Sequence, residues 1–79
     1  MNKTEIISRL TPIAQNVFEK DDLVLTDDLS SETLDSWTSL SFMHLLSAIE
    51  HEFGFKFKMM EVLSIKSMGN IINTIANHC

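Results

Sequence analysis

The sequence predicts an all-α domain: a small four-helix bundle with three long helices, one short helix and a long first loop. Three observations predict it. Apolar residues recur at helical spacing in three stretches, from Ile6 to Val17, from Phe42 to Phe53 and from Met68 to Ile75. The one alternating stretch, Phe55-Lys56-Phe57-Lys58, has no second strand to pair with. At 79 residues the chain, 1–79, is read as a single domain whose core leaves a modest margin of stability.

The first helix is expected over Thr4 to Phe18, with Ile6, Leu10, Ile13 and Val17 on its core face, flanked by Ile7 and Ala14. Asn2 or Thr4 can cap it. Pro12 falls inside, where proline removes a hydrogen bond and costs about 3 kcal/mol, so a kink or a late start near Thr11 is expected. Glu19 to Trp37 is long for a connection. Its recurring Leu23, Val24, Leu25, Leu29 and Leu34 predict a loop packed over the helices with those side chains pinned inward. Trp37, just before the next helix, is expected to plug against its first turn.

Phe42, Leu45, Leu46, Ile49 and Phe53 share one face of the central helix and predict its core side. Successive residues turn by about 100°. Leu40, Met43, His44, Ser47 and His51 therefore form an opposite stripe that meets water or a partner. Thr38 and Ser39 stand where a cap belongs, so the Ser39 hydroxyl is placed beside free amides and the positive end of the helix dipole, a setting that suits a phosphate. On spacing alone the plainer reading is an N-cap serine. Gly54 ends this helix as a left-handed cap. An extended connector burying Phe55 and Phe57, a helical turn near Met59 to Leu63, and a last helix capped by Ser67 with Met68, Ile71, Ile72 and Ile75 inward complete the bundle.

Composition excludes several functions. The net charge of −5 argues against nucleic acid, which needs clustered Lys and Arg. Seven of the eleven acidic residues lie between Glu19 and Asp35 and are expected to be solvated. Asp21-Asp22 and Asp27-Asp28 lack the alternating oxygens and the glycine of a calcium loop, so no metal is expected. No apolar run approaches the roughly 18 residues of a membrane span, and the first residues lack a signal-peptide layout. A cytoplasmic monomer without membrane attachment is the expectation. Cys79, the single cysteine, is read as incidental. No catalytic residue is expected either. Ser39 and His44 diverge by about 140° around a helix, Asp35 completes no triad, and His44 and His51 sit roughly 10 Å apart, too far for one metal ion.

Three stretches carry a resemblance: Asp22-Leu23-Val24-Leu25-Thr26, then Leu34-Asp35-Ser36-Trp37-Thr38-Ser39-Leu40, then Leu46-Ser47-Ala48-Ile49-Glu50-His51-Glu52-Phe53-Gly54-Phe55. Together they resemble the acyl carrier protein family over nearly the whole chain. The similar branch is that of stand-alone carriers reading Gly-Trp-Asp-Ser-Leu at the modification site and Ala-Ile-Glu-x-Glu-Phe-Gly downstream. The resemblance implies that Ser39 carries a covalent 4'-phosphopantetheine arm, attached by a phosphopantetheinyl transferase, whose thiol holds an acyl or aminoacyl group as a thioester. Acyl-loading and acyl-accepting enzymes are the implied partners, meeting Thr38, Leu40, Met43, His44, Ser47 and His51. Thr38 replaces the family's aspartate, which helps the transferase dock. A carrier-like interaction module that is never modified is the alternative.

Overall fold

Asn2 starts the first helix by accepting the Glu5 amide on its side-chain oxygen at 2.8 Å. The computed structural model describes residues 1–79, and its elements are α1 (Lys3–Phe18), α2 (Ser39–Phe53), α3 (Met59–Ser64) and α4 (Met68–His78), with no strand. Helix α1 packs against both α2 and α4. Seventeen buried apolar residues from the helices and the loop form one core.

Helix α1 does not begin late at Thr11; it runs through Pro12. The physical reason is position. Pro12 is exposed, so the hydrogen bond it cannot make lies on the solvent side, while Ile6 and Leu10 before it and Ala14 and Phe18 after it are buried in the same core. That buried row also corrects the expected face. Ile13 and Val17 are only half-buried, and the helix is turned toward Ala14 and Phe18 because Phe18 ends against Trp37, ring centroids 5.3 Å apart. Glu19 closes the helix in the left-handed region at φ 56°, with the Lys20 amide reaching back to Gln15 O.

The long loop is packed, as its leucines predict, with one exception. Leu23, Leu25, Leu29, Leu34 and Trp37 are buried, but Val24 is 73% exposed. With Leu23 and Leu25 turned in, Val24 faces water.

The loop is fastened to the start of α4, whose Met68 and Gly69 amides donate to Leu29 O at 2.8 Å and Asp27 O at 3.0 Å. Those carbonyls do the work expected of a side-chain cap. Ser67 occupies the cap position without making a side-chain cap bond, and Asn70 Oδ1 takes the Lys66 amide instead. A Cβ on Gly69 would stand 3.1 Å from Asp27 O, so a larger residue there would press the loop outward by a few tenths of an ångström.

Gly54 ends α2 at φ 75°. The following connector is held by Glu50, whose carboxylate accepts the Phe57 amide at 2.8 Å, and by edge-to-face packing of Phe55 on Phe57. Helix α3 buries no residue completely. Val62 packs its half-buried side chain against the core, and polar contacts add to it: Glu61 accepts the Lys58 amide at 2.8 Å and meets His78 Nε2 of α4 at 2.9 and 3.0 Å, while the His78 ring stacks on Phe55.

Candidate cofactor attachment site

The first turn of α2 is built by two hydroxyls that flank Ser39. Thr38, with extended backbone at φ −113° and ψ 174°, is the N-cap and accepts the Ser41 amide on Oγ1 at 3.2 Å. Ser41 answers by accepting the Thr38 amide on Oγ at 2.8 Å and donating its hydroxyl to Ser36 O at 2.7 Å. This reciprocal pair is a capping box with serine in the usual glutamate position.

Ser39 is therefore not the cap. It is the first helical residue, exposed, with its hydroxyl in no hydrogen bond within the protein. The Ser39 and Leu40 amides beside it have no intrahelical acceptor, as at any helix start, and the first turn holds no acidic side chain. An anion on Ser39 Oγ meets the positive end of the helix with no carboxylate on that turn to repel it.

Beside Ser39 opens a groove of about 520 Å³. Its apolar lining comes from Trp37, Phe42 and Ile65. Trp37 is held flat between Phe18 and Phe42, at centroid distances of 5.3 and 6.0 Å, which makes that side rigid. Ser30, Ser31 and Glu32 of the loop line it as well, and Lys66, from the segment joining α3 to α4, is its one cation. The sequence reading missed Lys66 and Ile65. No local pattern marks them, because the topology alone brings residues 65–66 to the start of α2. Ser41 did leave a signal, since Thr38-x-x-Ser41 has the spacing of a capping box.

Leu40, Met43, His44, Ser47 and His51 are all exposed on α2. Leu40 and Met43 keep 67% and 55% of their surface, large values for apolar side chains. His44, Ser47 and His51 line a different groove, shared with Ile13 of α1, so Ser39 and His44 open in separate places. Helix α3 adds exposed Met59, Met60 and Leu63, to which the sequence reading gave no role. The signal was available: a helix of six residues with four apolar ones has more apolar surface than one face can bury.

Comparisons with known proteins agree with this geometry. The family model described as "Phosphopantetheine attachment site" matches residues 4–75. No curated protein matches the chain. The solution NMR structure of a holo acyl carrier protein from Geobacter metallireducens superimposes with a TM-score of 0.84 and 34% identity, covering 90% of this chain and 82% of that one. The residues present suit the group: an uncommitted hydroxyl on a helix start, outward amides for a phosphodiester, and beside them a mixed groove whose Trp37, Phe42 and Ile65 offer apolar surface to the carbon chain beyond it. With a family match over nearly its whole length and the four-helix fold of a holo carrier, the chain belongs to the acyl carrier family of phosphopantetheine-bearing proteins.

Proposed function

We propose that Ser39 is the residue that bears the 4'-phosphopantetheine arm, and that residues 1–79 act as a single, monomeric carrier domain in the cytoplasm. The observation that supports Ser39 is the division of labour at the start of α2. Thr38 and Ser41 use their hydroxyls to build the turn, which leaves the Ser39 hydroxyl exposed and uncommitted beside the groove. When bound, the arm supplies a thiol that holds an acyl or aminoacyl group as a thioester. The chain's own part is to orient the first atoms of the arm and to present the exposed face of α2, including Leu40, Met43, His44, Ser47 and His51, to three kinds of enzyme: the transferase, a loading enzyme and an acceptor. The carrier catalyses nothing itself.

Intact mass tests this. Wild-type chain incubated with coenzyme A and a broad-specificity phosphopantetheinyl transferase gains one arm, and Ser39→Ala gains none. Attachment to another serine overturns the assignment. No attachment with several transferases would leave the unmodified interaction module as the better reading.

A further inference from the structure

Lys66 has no assigned role. Its side chain is in none of the four ion pairs of the molecule, whereas Lys3, Arg9 and Lys56 each face a carboxylate. Its backbone is nonetheless pinned: the Lys66 amide donates to Asn70 Oδ1 at 2.8 Å, and the preceding Ile65 is 8% exposed, anchored in the core. An exposed lysine with a fixed root lines the groove that also holds Ser39, so its ammonium can reach an anion bound there.

The opposing charge in the groove is Glu32, whose backbone is set by a bond from its amide to Ser30 Oγ at 3.2 Å. Glu32 and Lys66 make no ion pair with each other although both line the same space, so the cation is available to an anion that enters between them.

We infer that Lys66 is the counter-ion of the phosphodiester that joins the arm to Ser39, and that this pairing lays the first carbons of the arm along Trp37, Phe42 and Ile65. The inference rests on the Ser39 assignment. Its chemistry is that of a phosphate monoanion between an ammonium group and outward helix amides, with the branched dimethyl carbon next along the arm falling on apolar surface. Glu32 works against the pairing by like-charge repulsion. The arm is then seated at its root and free beyond it.

Three variants decide the matter in the full-length holo protein: Lys66→Gln, Lys66→Arg and Glu32→Gln. Intact mass first establishes that each carries one arm on Ser39, which separates a failure of attachment from a failure of seating. Seating is then read by NMR, from nuclear Overhauser contacts between the dimethyl group of the arm and the Trp37 indole and Ile65 methyls. Wild type and Lys66→Arg give these contacts. Lys66→Gln lowers the seated fraction about two- to fivefold, the range expected for losing one exposed ion pair. Glu32→Gln raises it, and added salt weakens seating in wild type but not in Lys66→Gln. Equal contacts in wild type and Lys66→Gln overturn the inference, as does their absence in wild type. No arm on Ser39 overturns it together with the assignment on which it rests.

Discussion

Two serines near Ser39 show how differently one residue type behaves within a few positions. Ser41 Oγ accepts from Thr38 N and donates to Ser36 O, so Ser41→Ala removes both bonds and strands a half-buried carbonyl. Leaving a half-buried carbonyl without its donor costs about 1 kcal/mol, up to about 3. Ser36 Oγ, by contrast, is buried with no partner, and a buried hydroxyl without one is itself a cost. Ser36→Ala is expected to be neutral or stabilising by up to about 1 kcal/mol. Urea titration of the two variants checks the pair, and a larger loss for Ser36→Ala than for Ser41→Ala would contradict it. Much of this was legible in the sequence: Ser39 was placed at a helix start and Trp37 was read as a plug. Which of three clustered hydroxyls caps and which stays free was not, because propensity ranks serine above threonine as a cap and so favours Ser39, while the reciprocal bonds with Ser41 make Thr38 the cap.

Helix α3 depends on charge as well as on packing. It buries no side chain completely, and besides Val62 against the core its anchorage includes the Glu61 carboxylate. The Lys58 backbone amide, and after it the His78 side chain, hold that carboxyl below the usual glutamate range. The folded value is lowered, so the folded protein binds fewer protons than the unfolded chain in the window between the two. The contribution of Glu61 is therefore complete above the ordinary glutamate value of 4.5 and is lost as pH falls through the lower folded value. Wild type is expected to exceed Glu61→Gln in stability at neutral pH, with the two converging in acid. Denaturant titrations of both from pH 3 to 7 measure this, and parallel curves would refute it. The sequence located this helix to within a residue, since Met59 to Leu63 was expected. It did not reveal what holds it, because Glu61 and His78 are joined only when α4 packs back across the connector. Helix α1 gives the converse lesson. Pro12 argued for a break by a local rule, but the core contacts of Ile6, Leu10, Ala14 and Phe18 on both sides of it carry the helix through.

Across the whole molecule, charge is divided between surfaces. The loop holds seven of the eleven acidic residues, whereas the outward stripe of α2 presents Leu40, Met43, His44, Ser47 and His51 and no carboxylate. Basic enzyme surfaces are steered by carboxylates, so a stripe without them is expected to bind such surfaces weakly, with Leu40 and Met43 as its exposed apolar contacts. The double change His44→Glu, His51→Glu is expected to tighten binding to a basic fatty-acid condensing enzyme about tenfold at low salt, with most of the gain lost in high salt. Titration calorimetry at two salt concentrations checks it, and unchanged affinity would show that partners dock elsewhere. The fold itself was readable because helical periodicity, the glycine at Gly54 and the leucines of the loop all agree. The groove was not, since its residues come from the loop, from α2 and from the segment before α4. That assembly has a kinetic consequence. The bonds from Met68 and Gly69 to Leu29 and Asp27 close a span of roughly forty positions, and such long-range closures form late because chain entropy opposes them until local helices exist. Until α4 is in place, the loop has no amides on which to fasten. The groove beside Ser39 is therefore expected to close only after α4 has docked.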